Sequence, residues 1–302
     1  MQTKQQIQRL LASANAKPNR RLGQNFLIDL NLMRLLVDSA DTQKDDVVLE
    51  VGCGTGSLTE AIAERCGCCI AVEIDNALAQ IAANRLAGKP NVQIIHADIL
   101  ESKHRLSRQV KEALEDARNK FQPPGPLAAG RLILLANLPY NVASPVMLNL
   151  ITGPVKADAM YVTIQKEVAE RMIAKPGSKH YGILSILLTA TGDVKTIRIL
   201  KPSVFWPHPK VDSAMIAYSQ SRQKCRQIKD LTLLAEVTSI FMQHRRKMLK
   251  TTTKLATGEL SQIRNWPRIF TESHIAPNSR PDQLTPEKYV LLANLCREQL
   301  TP

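Results

Sequence analysis

The chain has 302 residues, is 44% hydrophobic and 22% charged, and carries a formal net charge of +13. That balance is globular, the length suggests roughly two domains of ~150 residues each, and no apolar run approaches the ~20 residues of a membrane-spanning helix. Ile7 to Leu11 is broken by Gln8 and Arg9 and does not read as a signal-peptide core, so a cytoplasmic protein without a membrane partner is expected.

The charge is uneven. Residues 1–21 carry five Lys/Arg and no acid, residues 220–302 net +7, and the stretch between them nets only +1. A nearly neutral body between basic flanks suits a protein that grips a polyanion with its ends. The six cysteines include Cys66-Gly67-Cys68-Cys69, with no second such cluster and no His pair at ligand spacing. Buried thiols are expected there rather than a metal site or a disulfide framework.

Residues 1–21 read as a short basic helix followed by a loop at Lys17-Pro18-Asn19, and Arg20 to Leu27 as an entry segment. Leu30 to Ala40 has helical spacing, Val47 to Val51 is a strand ending in glycine, and Ser57 to Arg65 is a helix. Cys69 to Ile74 is a strand, Ala77 to Leu86 a helix, and Val92 to His96 another strand. This alternation predicts an α/β, doubly wound parallel sheet. Residues 101–120 are charged and helical in period, and Pro123-Pro124-Gly125-Pro126 breaks the chain before the apolar run Leu132 to Ala136. Ala159 to Ile164 and Ile183 to Thr189 supply later sheet or core elements, and Val211 to Tyr218 is a strand. Beyond Ser221 the pattern is helical, so residues 1–219 form one expected domain and 220–302 a small all-helical one.

Three strand ends carry chemistry. Glu50-Val51-Gly52-Cys53-Gly54-Thr55-Gly56 follows the first strand, and its glycines let backbone approach a ligand closely. The spacing is G-x-G-x-G, not the G-x-G-x-x-G of a dinucleotide loop. Glu73, seventeen residues beyond Gly56, ends the second strand and can accept both hydroxyls of a ribose. Asp98 follows the third and can accept from an adenine amine. The three together describe an adenosine site that demands no phosphate, and S-adenosylmethionine fits it. Asn137-Leu138-Pro139-Tyr140 closes the fourth strand. The Asn137 side-chain oxygen and a nearby carbonyl can accept hydrogen bonds from an exocyclic amine, Pro139 fixes the backbone, and the Tyr140 ring can stack on a base.

The chain resembles the bacterial rRNA adenine dimethyltransferases that modify small-subunit rRNA. The likeness is carried by Gly23-Gln24-Asn25-Phe26-Leu27, the glycine loop, Asn137-Leu138-Pro139-Tyr140 and Gln165-Lys166-Glu167-Val168. It continues through Tyr181-Gly182, Phe205-Trp206-Pro207-His208-Pro209-Lys210-Val211-Asp212-Ser213 and His244-Arg245-Arg246-Lys247. The resemblance implies a Rossmann-like S-adenosylmethionine-dependent methyltransferase domain followed by a helical RNA-binding domain. It implies that Asn25 and Leu27 close over the cofactor, with Gly52, Gly54, Glu73, Asp98 and Asn137 completing its site. It makes Phe205 the second face of a sandwich around the adenine, opposite Tyr140, and places Arg245, Arg246 and Lys247 in the domain that meets RNA. The implied substrate is a pair of adjacent adenosines in the 3′-terminal hairpin of small-subunit rRNA, within the immature subunit, acted on by a monomer. Two alternatives stand beside it: a non-catalytic assembly or transcription factor, and a resistance-type methylase of large-subunit rRNA. Against the family pattern, residues 101–130 read as an insertion, and Cys53 stands where Pro is common.

Overall fold

A computed structural model of the chain describes residues 1–103, 105–120 and 130–300. The Pro123-Pro124-Gly125-Pro126 break, with most of the end of the expected insertion, lies outside the described residues. The chain divides into two compact units, one of Met1–Ala169 with Lys195–Ser219, the other of Glu170–Val194 with Gln220–Pro302. The expected boundary at 219/220 is therefore incomplete: the second unit also takes an internal segment.

The first unit is built on a seven-stranded sheet. Its strands are β1 (Val47–Val51), β2 (Cys68–Glu73), β3 (Val92–His96), β4 (Leu132–Asn137), β5 (Ala159–Gln165), β6 (Gly192–Leu200) and β7 (Ser213–Gln220). Their order across the sheet is β3-β2-β1-β4-β5-β7-β6. β3 to β5 run parallel through the central β1, and β7 is antiparallel to β5, pairing Ser213 with Gln165. All five residues of β1, and Leu132 to Ala136 of β4, are buried, as strands covered on both faces must be. Asp46 fixes the start of β1 beside β4. It is itself buried, and it accepts from the Arg131 backbone N–H at 3.0 Å and from its guanidinium at 2.6 Å.

The helices here are α1 (Lys4–Ser13), α2 (Leu30–Ala40), α3 (Ser57–Ala63), α4 (Asn76–Leu86), α5 (Arg108–Lys120), α6 (Ala143–Thr152) and α7 (Lys166–Met172). α1 starts at a Thr3–Gln6 capping box. It turns Ile7 and Leu11 onto Leu78 and Ile81 of α4 and leaves Lys4 and Arg9 exposed. The expected helix over 101–120 begins later: Leu100–Ser102 and Arg105–Leu106 form a two-stranded hairpin, and only then does α5 start. α5 buries Val110 and Leu114 and packs on β1 and β2. This part of the expected insertion is thus a sheet-covering crossover helix. Phe26–Leu27 in the entry segment pairs antiparallel with Phe205–Trp206.

The second unit holds α8 (Ile183–Thr191), α9 (Arg222–Arg226), α10 (Leu231–Gln243), α11 (Leu249–Thr252), α12 (Trp266–Glu272) and α13 (Pro286–Leu300). The run Ile183 to Thr189, expected as sheet or core, is helix α8. It is apolar on nearly every side, so periodicity alone could not decide between buried strand and buried helix. α10 packs against α13 and α8, with Phe241 set edge-on to Tyr289 and Trp266. β6 had no expectation at all, because most of its side chains are exposed or half-buried and it lacks an apolar run.

Candidate functional site

The glycine loop leaves β1 with Gly52 at φ +76° and Gly54 at φ +58°, the left-handed region that L side chains rarely adopt. A Cβ on Gly52 would stand 2.9 Å from the Pro139 ring, and one on Gly54 2.9 Å from the Phe26 ring. Backbone conformation and close approach therefore both require glycine at these two positions. The loop leads into α3.

Glu73 at the end of β2 is buried. Its Oε2 accepts from Gly54 N–H at 2.8 Å and its Oε1 from Asp75 N–H at 2.9 Å. Burial pushes its carboxyl above the ordinary value, while these backbone donors pull it down. Asp98 is exposed, and its Oδ1 accepts from Leu100 N–H at 2.9 Å. Asp75 caps α4 and also accepts from the Gln24 side chain at 3.0 Å, tying the entry segment to this strand end.

Asn137 ends β4. Its Nδ2 donates to the Asn25 carbonyl at 2.8 Å, which leaves its Oδ1 as the side-chain atom able to accept. The Pro139 carbonyl receives Val142 N–H at 3.2 Å and keeps a second lone pair. Tyr140 is half-buried, its hydroxyl sharing a 2.8 Å hydrogen bond with Ser213 Oγ, and burial pushes its phenol above the ordinary value.

These side chains meet in one pocket of the first unit, about 1120 Å³ including its opening to solvent. Asn25, Leu27, Gly52, Gly54, Glu73, Asp98 and Asn137 all line it, with Pro139 and Tyr140 beside them. Among the described residues, the lining contains three acids, Glu50, Glu73 and Asp98, and no Lys, Arg or His. Such a pocket suits a nucleoside bearing positive charge and is unsuited to a pyrophosphate, which calls for cations or further anion donors. S-adenosylmethionine, with ribose hydroxyls, an adenine amine, a sulfonium and an ammonium, fits that donor set. Among the described residues, no group of three or more His, Cys, Asp or Glu is placed to hold a metal ion.

Two expected site residues make internal contacts. Phe205 does not reach the pocket. It is 0% exposed and packs in the core with Leu27, Leu36 and Met215. In the pairing Leu27↔Phe205 and Phe26↔Trp206, alternate residues of a strand face opposite sides: Phe205 joins Leu27 in the core cluster, while Trp206 stacks on Phe26 at 6.1 Å. The basic run Arg245-Arg246-Lys247 does not lie on a helix. α10 stops at Gln243, and Arg245-Arg246-Lys247 form the turn after it. Arg245 donates to the carbonyls of Ser178, Lys179 and Tyr181 at 2.9–3.1 Å and pairs with Asp282 at 3.4 Å. Arg246 and Lys247 are exposed. The sequence reading also gave no role to Glu50, although an acid inside an otherwise apolar strand was the visible signal.

The pocket acids separate by burial. Glu73→Ala is expected to weaken S-adenosylmethionine by about 10- to 100-fold, the worth of hydrogen bonds to a charged group. It should also lower the melting temperature, because two backbone N–H groups lose their acceptor. Asp98→Ala should weaken the cofactor with no change in melting. Calorimetry and melting curves on both variants check this, and a Glu73→Ala protein with wild-type affinity would remove Glu73 from the site.

The chain matches the family model described as "Ribosomal RNA adenine dimethylase" over residues 15–297. It is 37% identical over 286 residues to the ribosomal RNA small subunit methyltransferase A of Alkaliphilus oremlandii, covering 94% of this chain and 93% of that one. It is 34% identical over 281 residues to that of a Geobacillus species, covering 92% and 91%. In fold it is similar to a dimethyladenosine transferase of Plasmodium falciparum. There the TM-score is 0.67 at 21% identity, over 91% of this chain and 98% of that one.

Proposed function

This chain belongs to the ribosomal RNA adenine dimethylase family, an S-adenosylmethionine-dependent class of enzyme, and we propose that it dimethylates the exocyclic amines of two adjacent adenosines in the 3′-terminal hairpin of small-subunit rRNA. It acts as a monomer, in the cytoplasm, on the immature small subunit during ribosome biogenesis. The observation that carries the pocket assignment is its lining, among the described residues, of three acids and no cation beside an Asn137 whose Oδ1 is left to accept.

When bound, S-adenosylmethionine supplies an already activated methyl group, so the residues position more than they push. Glu73 takes the ribose, Asp98 the adenine, and the glycine loop passes backbone close beside them. Adenine's amine is a poor nucleophile because its lone pair is delocalised into the ring. Acceptance of its two hydrogens by Asn137 Oδ1 and the Pro139 carbonyl localises that pair toward the methyl group. Tyr140, its hydroxyl anchored on Ser213, offers a ring face to the unstacked base. No side chain is assigned as general base, and the proton leaves to water after transfer.

The test is incubation with labelled S-adenosylmethionine and undermethylated small subunits, followed by mapping. Label on two neighbouring adenosines near the 3′ end is expected. Label confined to large-subunit rRNA, or no label, would sink the proposal.

RNA grip is assigned to the second unit, whose residues 220–302 net +7. Here the basic turn divides. Neutralising Arg246 and Lys247 should weaken RNA binding and make its salt dependence shallower by about one log–log unit per lost phosphate contact, at constant melting temperature. Arg245→Ala should instead cost about 2 kcal/mol of stability, because its bonds are internal. An unchanged salt slope in the Arg246 and Lys247 double variant would reject this division.

A further inference from the structure

Glu50 lines the same pocket and has no task in the reading above. It is the next-to-last residue of β1, is 2% exposed, and its Oε2 is buried without a hydrogen-bond partner. The Thr59 hydroxyl, from α3, is buried beside it and favours its charged form. The titratable groups that bear on Glu50 are Glu73 at the end of β2, Cys53 in the glycine loop and Cys69 within β2, none of them a cation. Arg85, from α4, is committed to the Thr55 carbonyl at 2.7 Å and Glu60 at 3.1 Å. Burial, opposed by the Thr59 hydroxyl and reinforced by the charge of Glu73, pushes the Glu50 carboxyl up to about 8. Glu73 differs, because both of its oxygens receive backbone N–H donors that favour its charged form.

We propose that Glu50 is protonated before the cofactor binds and yields that proton to solvent as the positively charged cofactor enters, so that cofactor uptake is coupled to proton release. This rests on the reading of the pocket as the S-adenosylmethionine site. A buried carboxylate with no cation beside it is disfavoured against its neutral form, and a cation brought there reverses the balance. S-adenosylmethionine carries a sulfonium and an ammonium against one carboxylate, a net positive charge. S-adenosylhomocysteine has lost the sulfonium charge, so it releases fewer protons. Rising pH between about 6 and 8 then favours exchange of product for cofactor, which makes Glu50 a residue that discriminates cofactor from product by charge.

The folded carboxyl lies at about 8 and its ordinary value is 4.5. Over that window the folded state holds a proton that the unfolded state has lost, so this contribution to stability falls as pH rises from about 4.5 to 8.

The experiment is titration calorimetry of S-adenosylmethionine into the full chain at several pH values, each in buffers of different ionisation enthalpy. In the wild type, the heat should depend on buffer in the sense of proton release near pH 7. The dissociation constant should fall with pH by up to about tenfold per unit and level off above about 8. Glu50→Gln should bind with buffer-independent heat and a flat pH profile, and its melting temperature should lose the decline with pH. S-adenosylhomocysteine should release fewer protons than the cofactor. Cofactor binding with buffer-independent heat in the wild type, or full release retained in Glu50→Gln, overturns the proposal while leaving the cofactor site standing. If Glu50→Gln does not fold, the wild-type profile decides: release that stays constant across and beyond pH 8 overturns it. No cofactor binding by the wild type at all overturns the site reading and the proposal together.

Discussion

Asn137→Ala is expected to lower methyl transfer by on the order of 10²- to 10³-fold, the usual effect of deleting one preorganised group that acts on charge developing in the transition state. The loss should fall mainly on kcat, because the Oδ1 acceptor matters most as the amine lone pair moves toward the methyl carbon. The same side chain donates to the Asn25 carbonyl at 2.8 Å, so the variant also loosens the entry segment. A smaller fall in cofactor affinity, worth about 1 kcal/mol, should accompany the loss of turnover. RNA binding should survive, since the basic turn lies in the other unit. Single-turnover kinetics, with calorimetry for cofactor and a filter assay for RNA, separate these effects. Full methylation by Asn137→Ala would show that amine polarisation is not its role.

Phe205→Ala carries the second large effect, on a different quantity. A stacking residue at the mouth of a site would lose turnover and keep its melting temperature. Phe205 is instead fully buried against Leu27, Leu36 and Met215, so its truncation opens a cavity and should cost about 3–5 kcal/mol of stability. Phe205→Leu, which retains most of the volume, should recover most of that stability and with it most of the activity. Chemical denaturation measures the first effect and methylation of RNA the second. If Phe205→Ala melted like the wild type and lost only turnover, the inward placement would be wrong and the base sandwich would return.

These two positions mark what could be read from the chain. Asn137 and Glu73 were legible because each ends a buried apolar strand, and Asp98 because it closely follows the strand Val92–His96; the end of a parallel strand is a local signal. The run Leu132 to Ala136 stops at Asn137, and a strand of the same kind stops at Glu73. The G-x-G-x-G spacing is equally local: the left-handed angles at Gly52 and Gly54 are properties of the residues themselves. That all of them meet in one pocket follows from parallel pairing, which carries every strand end to the same edge.

The sequence alone therefore determined the sheet class and the strand-end placement of Glu73, Asp98 and Asn137. Tertiary structure alone decided the rest. Phe205 points inward because it pairs with Leu27, a partner far away in the chain that no local pattern names. Arg245 became an internal tie because α10 ends at Gln243 and brings it to the carbonyls of Ser178 to Tyr181. The second unit recruits Glu170–Val194 from within the chain, because an all-apolar helix such as α8 must be buried and α10 and α13 supply the cover. The physical reason is common to all three. A residue's local conformation is written in its neighbours along the chain, but its burial depends on partners brought to it by folding.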